Sequence, residues 1–158
     1  MLKTPSLSAA VAAVAAFIAL AGAPPVQAMS GTSSEKSDFG MATKAVNGQN
    51  WREAIELLNK VVEKNAGNAD AHNFLGYSYR KSGNHGSALK HYRLALKIDP
   101  RHKGAHEYIG EALLEVGDLP MAQRHLKALD DICAFGCEEY RQLKKAVAAY
   151  KKNHNISG

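Results

Sequence analysis

Three alanines, Ala54, Ala88 and Ala122, stand 34 residues apart, and the sequence around them repeats with the same step. Leu75-Gly76 returns as Ile109-Gly110, Gly83 as Gly117, and the polar residues Asn50, Asn84 and Asp118 fall into line. A step of that size makes each copy one supersecondary unit, too small to bury its own apolar face, so the copies must stack. Within a copy the apolar residues recur at helical spacing. Phe39, Ala42, Ala45 and Val46 form a first stripe. After a turn at Asn47–Asn50, Trp51 opens a second helix with Ala54, Ile55, Leu58, Val61 and Val62 on one face. Gly67 is expected to close that helix in the left-handed conformation. Four more helices are expected over 71–81, 86–98, 103–115 and 120–131. Asp99-Pro100 should stop the second of these, and Pro120 should open the last. Gly76 facing Ala88 is expected to let the two helices of the middle copy approach closely.

Leu75-Gly76, Tyr79, Ala88, Tyr92 and Pro100 match the Leu-Gly, Tyr, Ala, Phe and Pro landmarks of a known repeat at its spacings, with His72 where Trp is usual. On these residues the chain resembles the tetratricopeptide-repeat family, from Glu35 to about Ile132. It departs from the pattern at Met41-Ala42, which replaces Leu-Gly, and at Ala134, which replaces the closing proline of the third copy. The resemblance implies an all-α, right-handed α-solenoid of three helix-turn-helix pairs, with repeats at about 35–68, 69–102 and 103–136. The stretch 138–152 does not fit the repeat. Tyr140, Leu143, Val147 and Tyr150 make one apolar face, with Arg141, Lys144, Lys145, Lys151 and Lys152 opposite. It is expected to be a C-terminal capping helix covering the last pair, which closes a domain at 35–152 and leaves a disordered tail at 153–158.

Lys3, the apolar run Ala9 to Leu20 and the small residues of Val26-Gln27-Ala28 read as a signal peptide over 1–28, cleaved after Ala28. The run is shorter than the roughly 20 apolar residues of a membrane span. The expectation is therefore export, to a periplasm or as a secreted chain, without stable membrane insertion after cleavage. Residues 29–34 are expected to form a flexible leader, and the polar stretch continues to Ser37. The formal net charge is +5, with both signs mixed and no basic stripe interleaved with aromatics, so nucleic acid is not an expected partner.

Cys133 and Cys137 are the two cysteines of the chain, and an even count in an oxidising compartment favours a structural disulfide. Within one continuous helix their Cβ atoms would lie about 5–6 Å apart, too far for the bond, so the helix must break between them, at Gly136. The alternatives are a redox pair or a soft-metal site with a nearby histidine. His72 and His106 are 34 apart, as are His91 and His125, which repeat duplication accounts for without a metal. No phosphate-binding loop, nucleophile elbow or His-Glu-x-x-His motif occurs in the sequence. The expectation is a non-catalytic protein without cofactor.

The family resemblance places ligands across the first helices of successive pairs. By register the groove-facing residues here are Phe39 and Thr43, then Asn73, Tyr77, Arg80 and Lys81, then Glu107, Glu111 and Glu115. Some family members clamp a partner's C-terminal carboxylates. Phe74 and Tyr108 occupy places where that clamp uses Asn and Arg, so such a tail is not expected. The expected function is a monomeric protein-interaction module or assembly adaptor binding a peptide or protein segment. The competing expectation is a metal- or redox-handling accessory using Cys133 and Cys137.

Overall fold

The computed structural model describes residues 33–156; the segment expected to be a signal, 1–28, lies outside them. Among the described residues there are seven helices and no strand. They are α1 (Ser33–Asn47), α2 (Trp51–Lys64), α3 (Ala69–Lys81), α4 (His85–Ile98), α5 (Lys103–Glu115), α6 (Leu119–Ile132) and α7 (Glu138–Asn153). Each odd-numbered helix up to α5 packs on the helix after it, and α3, α5 and α7 pack also on the helix before. The odd-numbered helices touch one another in series as an inner layer. The molecule is an all-α solenoid of three hairpins and a closing helix.

The helix boundaries follow from local chemistry. The side chains of Asn68, Asn84 and Asp118 accept hydrogen bonds from the backbone N–H groups of Ala71, Ser87 and Met121 at 2.9, 3.0 and 3.1 Å. These N-caps start α3, α4 and α6 one or two residues earlier than apolar periodicity alone suggests. His102 does the same for α5 through Nδ1, which accepts from Ala105 N–H at 3.1 Å. Inside the repeats the first helices end in paired Schellman bonds. In the middle copy these run from Gly83 N–H to Arg80 O and from Asn84 N–H to Tyr79 O, with Gly83 at φ 82°. Gly117 repeats the arrangement at φ 85°. In the first copy Gln49 takes the same left-handed place, at φ 57°.

Several expectations are corrected. α1 begins at Ser33, inside the stretch read as leader. Gly67 does not adopt a positive φ; α2 ends instead at Asn65, whose Oδ1 accepts from Gly67 N–H at 3.0 Å. Asp99 makes the equivalent bond to Arg101 N–H at 2.9 Å. Beyond α7, Asn155, at φ 53°, closes the helix with a fourth Schellman pair, and His154 stacks on Tyr150 with ring centroids 4.0 Å apart.

The core is built from the repeated small residues. Ala54, Ala88 and Ala122 are fully buried, as are Ala71 and Ala105. Gly76 matters for a different partner than expected: a Cβ there would lie 2.5 Å from the Tyr92 ring, not against Ala88. The missing side chain lets Tyr92 lie fully buried beneath α3. Gly110 makes the same room for Leu143 of α7. α7 is therefore less foreign to the repeat than its sequence suggests. Leu143 continues the series Leu75 and Ile109 at the 34-residue step, and α7 takes the place of a fourth first helix. Its face buries Leu143 and Val147, with Tyr140 and Tyr150 half-buried. Complete burial of a leucine contributes about 2 kcal/mol. Cys133 and Cys137 stand at disulfide distance with Cα atoms 5.7 Å apart, joining the ends of α6 and α7 across Gly136 at φ 78°.

Candidate binding groove

The inner layer presents a run of aromatic rings. Phe39 of α1 meets Phe74 of α3 at a centroid distance of 5.8 Å, and Tyr77 of α3 meets Tyr108 of α5 at 5.0 Å. Trp51, at the start of α2, stands edge-on to Tyr77 at 5.8 Å. Trp51, Phe74, Tyr77, Lys81 and Tyr108 line an open cleft of about 380 Å³. Lys81 is exposed, its Nζ 5.3 Å from the centre of the Tyr77 ring. A second cleft, of about 770 Å³, borders the same lysine and runs between the C-terminal halves of α5 and α7, past Glu111, Glu115 and Tyr150.

The groove residues expected from register divide into three groups. Phe39, Tyr77, Lys81, Glu107, Glu111 and Glu115 are at least partly exposed on the inner layer. Thr43 is half-buried, and its hydroxyl donates to Phe39 O at 2.9 Å, so it is tied to its own helix. Asn73 and Arg80 are buried, 5% and 7% exposed, although Arg80 still borders the larger cleft. The register held a sign of that burial for Arg80. Its equivalents one step either way are Val46 and Leu114, both buried. Arg80 can occupy such a place because Glu111 receives it at 2.7 Å and Glu115 at 3.1 Å, while the Tyr77 and Tyr108 rings flank it at 5.7 and 5.8 Å. A buried guanidinium needs that neutralisation; burial works against its charge, and the two carboxylates with Tyr92 leave its pKa raised overall.

The carboxylates of α5 lie in one stripe at Glu107, Glu111 and Glu115, one turn apart. Glu111 and Glu115 share Arg80, and Glu115 also meets His85 at 3.2 Å. Glu107 forms no such ion pair. Burial, reinforced by repulsion from Glu111 and Glu139 and only partly offset by Arg80, pushes its carboxyl up to about 7.

Two histidine pairs lie between the helices of the second and third hairpins. His72 and His91 bring their Nδ1 atoms to 3.1 Å, and His106 and His125 to 2.9 Å. The Nε2 atoms of His72 and His106 lie 3.3 and 3.1 Å from the carbonyls of Ala66 and Pro100. A carbonyl only accepts, so each of those Nε2–H groups donates, and each Nδ1 accepts from its partner's Nδ1–H. Both pairs are complete as neutral imidazoles. Duplication explained why they recur but gave no hint that they touch. Among the described residues no group of three or more His, Cys, Asp or Glu could hold a metal, and the paired sulfurs leave no free thiol there. The metal- or redox-handling alternative finds no support. No helix among the described residues is long and apolar enough to cross a membrane.

A family model described as Tetratricopeptide repeat matches residues 39–103. No curated protein sequence matches the chain. Among solved structures, it is similar to the Sgt2 TPR domain from Aspergillus fumigatus, with a TM-score of 0.71 and 19% identity over 81% of this chain and 83% of that one. The Yersinia enterocolitica type III secretion chaperone SycD, in complex with a peptide of the translocator YopD, gives 0.68 and 15% over 79% and 95%. The TPR2B domain of yeast Sti1, in its pHsp70 complex, gives 0.71 and 14% over 77% and 99%. With a tetratricopeptide-repeat model matched over residues 39–103 and its solenoid matched in structure, the chain carries tetratricopeptide repeats in that part and has the tetratricopeptide-like fold.

Proposed function

We propose that this chain is an exported, non-catalytic interaction module or assembly adaptor, acting as a monomer, that holds an extended segment of another protein across α1, α3 and α5. The observation that carries the reading is the run of rings from Phe39 and Phe74 to Tyr77 and Tyr108, open to a cleft. Aromatic side chains on a rigid scaffold give large contact area at low entropic cost, which is what binding hot spots use. The SycD and Sti1 structures support it by analogy, each being described in complex with a partner. A photo-reactive side chain in place of Lys81 should trap a partner that the same group in place of Lys127, on α6, does not. Tyr77→Ala should abolish that adduct. Equal labelling from both positions, or none from position 81, would sink the proposal. Export is tested by the intact mass of the native protein, which should begin at Met29.

A further inference from the structure

The charge along the inner layer is unevenly distributed, and it bears on what the groove can hold. Beyond the aromatic run, a segment laid across the odd-numbered helices meets the α5 stripe of Glu107, Glu111 and Glu115, and then Glu139 in the first turn of α7. Arg80 answers Glu111 and Glu115, and Glu138 lies in an ion pair with Arg141. Glu107 remains half-buried and repelled by Glu111, Glu139 and Glu138, and Arg80, already paired with Glu111 and Glu115, offsets only part of that. A separate feature lies one helix away. Asn73 of α3 has its amide nitrogen 3.2 Å from where a Cβ on Gly104 would stand, one turn before Glu107 on α5. Its Oδ1 is buried with no hydrogen-bond donor. Asn73 Oδ1 is thus an acceptor without a donor, close to a half-buried carboxylate that is crowded by its own kind. The exposed cation in this part of the groove, Lys81, sits at the aromatic end over Tyr77.

We propose that the groove's occupant is a basic, extended peptide segment, with an aromatic or large aliphatic residue on the Phe74–Tyr77–Tyr108 floor and a lysine or arginine against Glu107. The inference rests on the groove reading above and adds the chemistry of the ligand. A cation placed there gives Glu107 an ion pair and relieves its repulsion from Glu111 and Glu139. An acidic segment would meet that repulsion in full, which is the usual source of charge discrimination at interfaces.

Trp51 is the single tryptophan of the chain and lines the aromatic cleft, so its fluorescence reports occupancy. Three synthetic peptides sharing one Phe-Leu anchor, and carrying three lysines, three glutamates or three serines, are titrated against the full chain. At about 50 mM salt the lysine peptide should bind at least about tenfold more tightly than the glutamate peptide, and the gap should narrow at high salt. Glu107→Gln should weaken the lysine peptide by about three- to tenfold while leaving the serine peptide unchanged. That variant removes a repulsion and should fold at least as well as the parent. Equal affinity for the lysine and glutamate peptides, or no effect of Glu107→Gln, overturns the charge assignment; if Tyr77→Ala still abolishes binding, the groove reading survives. No response of Trp51 to any peptide, or binding that is unaffected by Tyr77→Ala, overturns both.

Discussion

Individual residues show where the repeat is strained and where it titrates. Gln49 holds a left-handed φ of 57° at the place that Gly83 and Gly117 take in later copies, and a side chain there costs about 1–2 kcal/mol. Gln49→Gly should therefore raise stability by about 0.5–1 kcal/mol after glycine's extra chain entropy is counted, read as a higher urea midpoint. An unchanged or lower midpoint would show that Gln49 makes compensating contacts. The histidine pairs give a pH dependence. His91 and His125 are lowered from 6.5 to about 4, first by burial and then by His72 and His106 respectively. Between those values the unfolded chain binds more protons than the folded one. Stability should be full above pH 6.5 and fall as pH drops towards 4. The doubly substituted His91→Phe, His125→Phe protein should show a flatter melting temperature between pH 6.5 and 5, even if it melts lower at pH 7.5. An undiminished slope would place the acid sensitivity elsewhere.

At the scale of elements, close approach decides which helices meet. Adding a methyl at Gly76 sets it 2.5 Å from the Tyr92 ring, whose Cγ is also within 2.9 Å, and a buried ring has little freedom to retreat. At Gly110 the nearest atoms are the terminal methyls of Leu143. Gly76→Ala should cost about 2–3 kcal/mol and Gly110→Ala about 1–2 kcal/mol, measured by denaturant unfolding. The reverse order would mean that α7 is the less yielding partner. The Cys133–Cys137 link closes a short loop, so replacing both cysteines by serine should cost about 2 kcal/mol. The loss should be local. Amide exchange of α7 should accelerate while α1 and α2 keep their protection, and uniform acceleration would assign the link a global role. The place of α7 was half legible. Its amphipathic face could be read from Leu143 and Val147, but its position as a fourth first helix was marked only by Leu143 falling on the 34-residue step, too little to separate it from any amphipathic cap.

Across the whole molecule, the core divides into two clusters. One gathers Ala42, Ala54, Leu58, Val61, Ala71 and Leu75; the other runs from Ala88 and Tyr92 through Ile109 and Leu129 to Leu143 and Val147. Tyr79 packs against both. In a stack whose stability is a sum of unit and nearest-neighbour terms, the smaller cluster, at the end without a closing helix among the described residues, should open first. Native-state hydrogen exchange should show α1 and α2 opening at a lower free energy than α4 to α6. A single opening free energy for all helices would show that Tyr79 couples the clusters fully.

The sequence by itself determined the repeat length, the helical pairs and the helix break between the two cysteines. These depend on spacing along one chain, and a 34-residue step with helical periodicity leaves little freedom. The tertiary structure alone decided that Asn73 is buried, that Phe74 and Tyr108 join the aromatic floor, and that His72 meets His91. Each of those outcomes depends on which side chains of different helices meet, and which side chain fills a space such as that left by Gly76 or Gly110 is a packing choice that periodicity does not contain.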